Sequence, residues 1–326
     1  MKTFIKTRLP FILPVFLIPE VIAEYFRYIR YSGMTGGTSR NKLLGRIIAS
    51  YHVVEKGLTM PETRLGFGVP LVRSLVKQCT LFQQKYGNSD DQWRQAVAVL
   101  KEYIQFHDER NHSIEPEIIS SIRNLAEITP APAAEQIKYS SVNYFAHIAD
   151  PFESFSASRK SVRNYSSKEV PVELLREAVA LATSSPSSCN RQGSRVHVIS
   201  DTKTMQSTLA IQAGNRGFGH LANKLLIVTG ELGATHNVFE RHMPYVDGGM
   251  FAMNLLYALH RKGIAACPLN CYLAGAKLAQ IRQLCAIPDS ESPIVMISCG
   301  YPPDDFLVAR SSRMPADDVI TVHQPE

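Results

Sequence analysis

No two of the six cysteines form a CxxC pair, and none joins histidines at the spacing a structural zinc site needs. Cys267 and Cys271 are the nearest pair, and no second pair completes a metal site. Cys79, Cys189, Cys267, Cys271, Cys285 and Cys299 therefore read as reduced thiols of a cytoplasmic, metal-free protein. A nucleophilic Cys189 lacks a His or Asp at supporting spacing. Long basic runs are also missing. The 35 Lys and Arg against 29 Asp and Glu leave a net charge of +6, scattered along the chain. That excludes a nucleic-acid groove but leaves room for an anionic cofactor or an anionic membrane surface. The chain also has no internal repeat, low-complexity tract, serine-protease-type triad or paired catalytic carboxylates.

Long hydrophobic runs are missing too. "RLPFILPVFLIPEVIA", starting at Arg8, is broken by Pro10, Pro14 and Pro19 and ended by Glu20. It is shorter than the roughly 20 apolar residues a bilayer span requires. It follows Lys2 and Lys6 like the basic and apolar regions of a leader, but no small-x-small cleavage site follows. With the aromatic and basic "EYFRYIRY" at 24–31, residues 1–30 have two readings. The preferred one is a segment packed on a partner subunit. The other is a peripheral contact with a membrane surface.

What is present fits an ordered globular chain: 326 residues, 45% apolar and 20% charged, enough for one large domain or two smaller ones. Residues 1–150 read as a helical N-terminal extension. Helical periodicity runs through "NKLLGRIIASYHVV", "VPLVRSLVKQCTLFQQKYG" and "DDQWRQAVAVLKEYIQFHDER", with Asp90 and Asp91 as cap and first turn. "ITPAPAAEQ" at 128–136 reads as a loop or linker. Residues 151–326 alternate. "VPVELLREAVALATSS" reads as a helix, "RVHVIS" as a strand ended by a "DTKT" turn, and "KLLIVTGE" as a strand. "VDGGMFAMNLLYALHRKG" reads as a helix from Asp247 as N-cap to Gly263 as stop, followed by the apolar "GIAACPL". The helix "GAKLAQIRQLC" and the strand "SPIVMISCGY" complete the series. The alternation suggests a layered α/β domain, and periodicity leaves open whether the strands run parallel or antiparallel.

Four segments carry candidate chemistry. In "SRKSVRNY", extended backbone places Arg159, Ser161 and Arg163 on one side, suited to an anion, although alone it reads as a solvated basic turn. "PSSCNRQ" offers the hydroxyls of Ser187 and Ser188 and the amides of Asn190 and Gln192, matching the donor–acceptor edge of a heterocycle. It reads equally as a polar loop capping a helix. "QAGNRGFGH" contains GxxGxG but precedes a strand, so it is not a dinucleotide fingerprint. It reads as a flexible pocket-lining loop, with Arg216 and Phe218 as candidate substrate contacts. "FLVARSSRMP" adds Arg310 and Arg313, which alone read as a solvated tail.

Taken in order, "SRKSVRNY", "PSSCNRQ", "DGGMFAMNLLYALHRKGIAACPLN" and "CGYPPDD…VARSSR" resemble the flavin-dependent nitroreductase family over residues 150–318. The resemblance implies an α+β fold with a mixed, mostly antiparallel sheet wrapped by helices, in place of a doubly wound sheet. It implies a homodimer with FMN bound at the interface by both subunits. It also implies hydride transfer from NAD(P)H to flavin N5 and from there to a small acceptor. Arg159 resembles the FMN phosphate ligand, with Lys160 and Ser161 at the phosphate or ribityl chain and Arg163 near the N1–C2=O edge. Pro186, Ser187, Ser188 and Asn190 match the motif a dimer partner lends to the flavin, and Gln192 supports that loop. In "CPLN", Pro268, Leu269 and Asn270 match the stretch beside the reactive face, where a backbone N–H of Leu269 or Asn270 would bond N5. Arg313 and Arg310 would complete the phosphate site. Two departures stand out: Gly193-Ser194 replaces the usual Pro-Trp, and Ser311 stands where lysine is common.

"YHVVEKGLTMPETRLGFG", Tyr51 to Gly68, resembles the extension of a long subgroup associated with bacterial polysaccharide gene clusters. His52, Glu55, Lys56, Arg64 and Phe67 concentrate there, either as a substrate-recognition lid or as a helix end with ion pairs from Glu55 to Lys56 or Arg64. The alternative to an enzyme is a non-catalytic dimeric scaffold, flavin-bound or empty, in a membrane-associated polysaccharide assembly.

Overall fold

A computed structural model describes residues 15, 17–33, 36–128, 135–235 and 238–323. The apolar run before Leu17 and most of the 128–136 linker lie outside them. The chain divides into two compact units, Ile22–Ile137 with Ala309–Glu326, and Met1–Val21 with Lys138–Val308.

The first unit is helical. Helix α1 (Leu17–Tyr31) buries none of its residues and exposes Ile18, Val21, Ile22, Tyr25, Phe26 and Tyr28. Helices α2 (Arg40–Leu58), α3 (Val69–Tyr86), α4 (Asp91–Asp108) and α5 (Pro116–Glu127) pack into a bundle. Their apolar residues recur at helical spacing, so each presents one stripe: Leu43, Ile47, Tyr51 and Val54 on α2, and Ala96, Val97, Leu100 and Ile104 on α4. Asp90 caps α4 as expected, accepting from the backbone N–H of Gln92 and Trp93. Trp93 is wholly buried, and its indole donates to the Cys79 carbonyl at 2.9 Å. No helix among the described residues is long and apolar enough to cross a membrane.

Gly57 in α2 is a close-packing glycine. A Cβ there would meet Phe67 Cε2 at 2.1 Å. Phe67 is itself set against Tyr103 and His107, with ring centroids at 5.2 and 5.9 Å, so its ring has little room to retreat. Alanine normally improves on a helix-interior glycine by ~1 kcal/mol. Here Gly57→Ala is expected to destabilise by about 1–3 kcal/mol through overpacking, seen as a lower urea midpoint.

The second unit holds a four-stranded sheet ordered β2-β3-β5-β4, antiparallel at every step. Its strands are β2 (Ser194–Ile199), β3 (Lys224–Glu231), β4 (Ala265–Leu269) and β5 (Glu291–Gly300). A separate pair joins β1 (Ile137–Ser140) to β6 (Asp305–Val308). The antiparallel order confirms the α+β expectation and overturns the layered α/β reading. β3 is central and buried along almost its whole length, which explains its unbroken apolar sequence. Pro293 lies inside β5, where it cannot donate to the ladder. It pairs with Thr229 at the register shift after Val228, a bulge that tolerates the missing donor.

Between β1 and β2 lie α6 (Ser141–Tyr144), α7 (Phe152–Ser158) and α8 (Val172–Ala182). Helix α9 (Thr202–Gln212) follows β2, α10 (Met243–Arg261) follows β3, and α11 (Gly275–Cys285) follows β4. The "DTKT" segment starts α9 instead of merely turning, because the Asp201 side chain caps Thr204 N. Helix α10 lays Leu255, Leu256 and Leu259 on Leu226, Val228 and Ile297 of the sheet. Gly263 ends it at φ +71°, as expected, but Asp247 is not its N-cap. The helix begins a turn earlier, with Pro244 in its first turn.

Candidate active site

The edge of the sheet at β4 gathers the first and third candidate segments. Helix α7 ends where Arg159 turns extended, at φ −64° and ψ 118°. The chain then runs parallel to β4: Ser161 bridges Ala266, and Val162 N donates to the Ala266 carbonyl at 3.1 Å. The buried Tyr165 phenol fastens this segment from below, donating to the Val162 carbonyl at 2.8 Å and lying 3.0 Å from Ser298 Oγ. Burial first, then the nearby cysteines, pushes that phenol's pKa well above its usual value. Pro268 follows two residues beyond Ala266, exposed and without an N–H. It cannot extend that pairing, and β4 ends one residue later at buried Leu269, which pairs with Met296 of β5.

Arg159 is the electrostatic centre. Its Nε and Nη1 atoms are buried, and among the described residues neither has a hydrogen-bond partner. An unpaired buried guanidinium group is costly unless an anion completes it, and a phosphate fits such a fork. Arg163 is buried too, with Nη1 at 3.4 Å from the Ser161 carbonyl. Behind Arg159 lies His260 of α10, which is 1% exposed. Burial, and then the Arg159 charge, lowers its pKa from 6.5 to about 4.

That shift predicts a pH dependence. Between the two values the unfolded chain binds the proton and the folded one does not. The stability tied to neutral His260 is therefore complete above about pH 6.5 and is lost as pH falls toward 4. The loss amounts to roughly 3 kcal/mol over the window. Urea midpoints at pH 7 and pH 5 should differ less in His260→Gln than in the wild type.

The second candidate segment is a tightly tied loop. Ser187 Oγ accepts from Gln192 N at 2.9 Å, and Ser188 N donates to the Asp247 carboxylate at 3.1 and 3.2 Å. Arg191 bonds Glu240 at 2.7 Å and donates to Ser188 Oγ at 2.8 Å. Cys189, Asn190 and Gln192 adopt φ of 51°, 54° and 51°, a left-handed backbone unfavourable for L-residues with a side chain. Gln192 donates to Asn190 Oδ1 at 3.2 Å, and Pro186, Asn190 and Gln192 stay exposed. Behind Pro186, Ser187 and Gln192 a cavity of about 200 Å³ reaches Asp247 and Phe251. Gly193-Ser194 has a local reason. The Gly193 carbonyl accepts from Glu231 N at 2.9 Å, and a Cβ at Gly193 would stand 3.1 Å from Ala234 Cβ.

The glycine-rich segment divides. Phe218 is 1% exposed and packs inside, so it cannot meet a substrate as the sequence suggested. Arg216 is exposed. Gln212, which the sequence reading passed over, donates to the Asn270 carbonyl at 3.1 Å and accepts from Gly214 N at 2.7 Å, holding the turn after β4. Leu269 and Asn270 are thus placed with Arg159, Ser161 and Arg163 in one unit.

The remaining candidates belong to the helical unit. Arg310 donates through Nε to the Glu135 carbonyl at 3.2 Å, and Arg313 donates to the Ser311 carbonyl at 2.5 Å. His52 Nδ1 lies 3.1 Å from Glu55, which is fully buried and also receives Gln95 Nε2 at 3.4 Å. These partners replace the exposed pairs expected with Lys56 or Arg64.

The antiparallel sheet, with the Arg159 segment bridged to its β4 edge, defines an α+β fold. Residues 157–214 and 203–301 match the model of the nitroreductase family. Over that stretch, somewhat less than half of its length, the chain is similar to the nitroreductase family. Among solved structures it is similar to a candidate NAD(P)H:FMN oxidoreductase from Staphylococcus epidermidis, with 20% identity and a TM-score of 0.47 over 53% of this chain and 96% of that one. It is also similar to a nitroreductase-like protein from Streptococcus mutans, with 18% identity and a TM-score of 0.45 over 53% and 98%. NfrA2 of B. megaterium matches at 18% identity and a TM-score of 0.43 over 53% and 74%. No curated protein matches the chain.

Proposed function

We propose that the protein is an FMN-dependent oxidoreductase that takes hydride from NAD(P)H and passes electrons to a small acceptor in a second half-reaction. The observation that carries this reading is the Arg159 guanidinium, buried and unpartnered at two nitrogens on a segment bonded to β4. The residues present fit FMN. Arg159 would hold the phosphate, with Lys160 and Ser161 at the phosphate or ribityl chain and Arg163 supplying positive charge at the pyrimidine edge. A backbone N–H of Leu269 or Asn270 would bond N5, a contact that no side-chain change removes. Bound flavin supplies a two-electron acceptor at N5. The protein's part is to orient donor and acceptor against one face and to exclude other acceptors. A quinone, an enone or a sugar-derived intermediate suits this chemistry, the last in keeping with a polysaccharide-cluster role for the helical extension of residues 1–150 ahead of an FMN-binding domain of 151–326.

The working form we infer is a homodimer with FMN between subunits. The exposed apolar residues Tyr245, Val246, Met250 and Met253 of α10 and Leu181 of α8 support it. So does the loop at 186–192, tied internally yet presenting Asn190 outward. In this reading Arg216 is a substrate contact. The exposed face of α1 supports contact of residues 1–30 with a partner subunit or with a membrane surface. Deleting residues 1–30 separates these two, since an unchanged membrane fraction excludes the anchor.

The test of function is the visible spectrum of the purified protein, before and after anaerobic NADPH or NADH. Flavin bands that bleach support the reductive half-reaction. Bands that persist retain the flavoprotein but require another donor. No flavin, even after reconstitution with FMN, would leave only the non-catalytic scaffold.

A further inference from the structure

The residues on either side of Arg159 are both held by one pair of buried rings. Tyr144, at the end of α6, is 1% exposed. Its hydroxyl donates to the Lys160 carbonyl at 2.8 Å and accepts from Lys160 N at 3.2 Å, holding both backbone polar groups of that residue. On the other side, Ser158 Oγ donates to the Phe155 carbonyl at 2.8 Å. The single hydroxyl proton is thereby used, so the 2.8 Å contact with His260 Nε2 runs from the imidazole N–H to the serine oxygen. This sets the tautomer: Nε2 carries the proton and Nδ1 is a bare lone pair, buried and without a partner. The two rings meet edge to face at 5.1 Å, and Phe145 and Phe155 close around the imidazole at 5.5 and 5.7 Å.

The arrangement is selective. Ser158 and Lys160 are fastened by four hydrogen bonds to three atoms, one each from α6, α7 and α10, while Arg159 between them keeps Nε and Nη1 unengaged. A neutral imidazole beside Arg159 neither repels the guanidinium strongly nor satisfies it. A long cationic side chain loses rotamer freedom when it binds, and a clamped backbone reduces what remains to be ordered. Tyr144 also precedes the stretch 157–301 that matches the family, so that match says nothing of it.

We propose that Tyr144 and His260 are positioning residues for a flavin phosphate. They fix Ser158–Lys160 so that Arg159 presents its two N–H groups to the phosphomonoester. This rests on the FMN reading above.

The experiment titrates the flavin-free full-length protein with FMN and, separately, with riboflavin, which lacks the phosphate, following flavin fluorescence. Wild type is expected to bind FMN well above riboflavin. Tyr144→Phe and His260→Leu should each weaken FMN by about five- to ten-fold, the effect of one lost hydrogen bond, and leave riboflavin within twofold. His260→Gln, which can still donate to Ser158 Oγ, should recover most of the loss. A purely structural role would weaken both ligands together, and an unchanged FMN-to-riboflavin ratio in the variants overturns the proposal. If wild type prefers FMN and the variants keep that preference, only the positioning role fails. If wild type binds neither flavin, the FMN reading fails and this inference falls with it.

Discussion

Arg159→Met is expected to remove high-affinity FMN binding and, at the same time, to raise the thermal stability of the flavin-free protein. The two effects have one cause. Two guanidinium nitrogens are buried with no partner among the described residues. In the flavin-free chain they are desolvated without compensation, and methionine fills similar length with no such penalty. Once phosphate is present, each N–H makes a charge-assisted bond of about 1.5–3 kcal/mol. Losing both lowers affinity by roughly 10²- to 10⁴-fold. Each kcal/mol recovered in the flavin-free form raises the melting temperature by about 2–4 °C. Fluorescence titration and a thermal scan on the same preparation read both numbers. If melting fell while FMN still bound tightly, Arg159 would be a structural residue and the phosphate would sit elsewhere. Arg159→Lys is the useful companion: it keeps the charge but not the planar fork, so it should fall between the two.

The legible parts of this protein are those that a single periodic segment decides. Lys224–Glu231 was bounded correctly because a central strand is apolar throughout and ends at polar residues. Asp90 declared its cap because a carboxylate before an amphipathic run has one obvious use. Arg159 and Pro268 stood out only through the order of their segments in the family resemblance, and in the structure one segment pairs with the other at Ala266. What stayed hidden depends on pairing across the chain. Antiparallel order is not written in a strand's own pattern. β1 and β6 span four residues each and carry no readable alternation. Tyr144 sits on a one-turn helix without periodicity, and nothing in the sequence brings His260, near the end of α10, to Ser158. Phe218 misled because an aromatic in a glycine-rich loop suggests exposure, whereas the following short turn carries it inward. Asp247 was set as a cap because the proline three residues earlier was not given its weight.

The second large effect concerns α10. Val246→Glu is expected to convert a dimer into a monomer and to strip FMN from it, without unfolding the chain. Val246 is 51% exposed and Tyr245 50%, and Met250 and Met253 are also exposed, so glutamate at 246 meets no core atom within its own chain. Surface substitutions of that kind shift monomer stability by only about 0.5 kcal/mol. In a two-fold interface, however, the change occurs on both subunits, burying two carboxylates where apolar surface was covered. The same helix carries Asp247, whose carboxylate holds Ser188 N and through it the loop presenting Asn190. That coupling is why subunit contact and flavin retention should be lost together. Sedimentation and the flavin-to-protein absorbance ratio, measured with a circular dichroism melt, separate the outcomes. A monomeric variant that melts normally and has lost its flavin fits a cofactor site shared between subunits. A monomeric variant that keeps its flavin places the whole site within one chain, and Asn190 would then have no flavin to face.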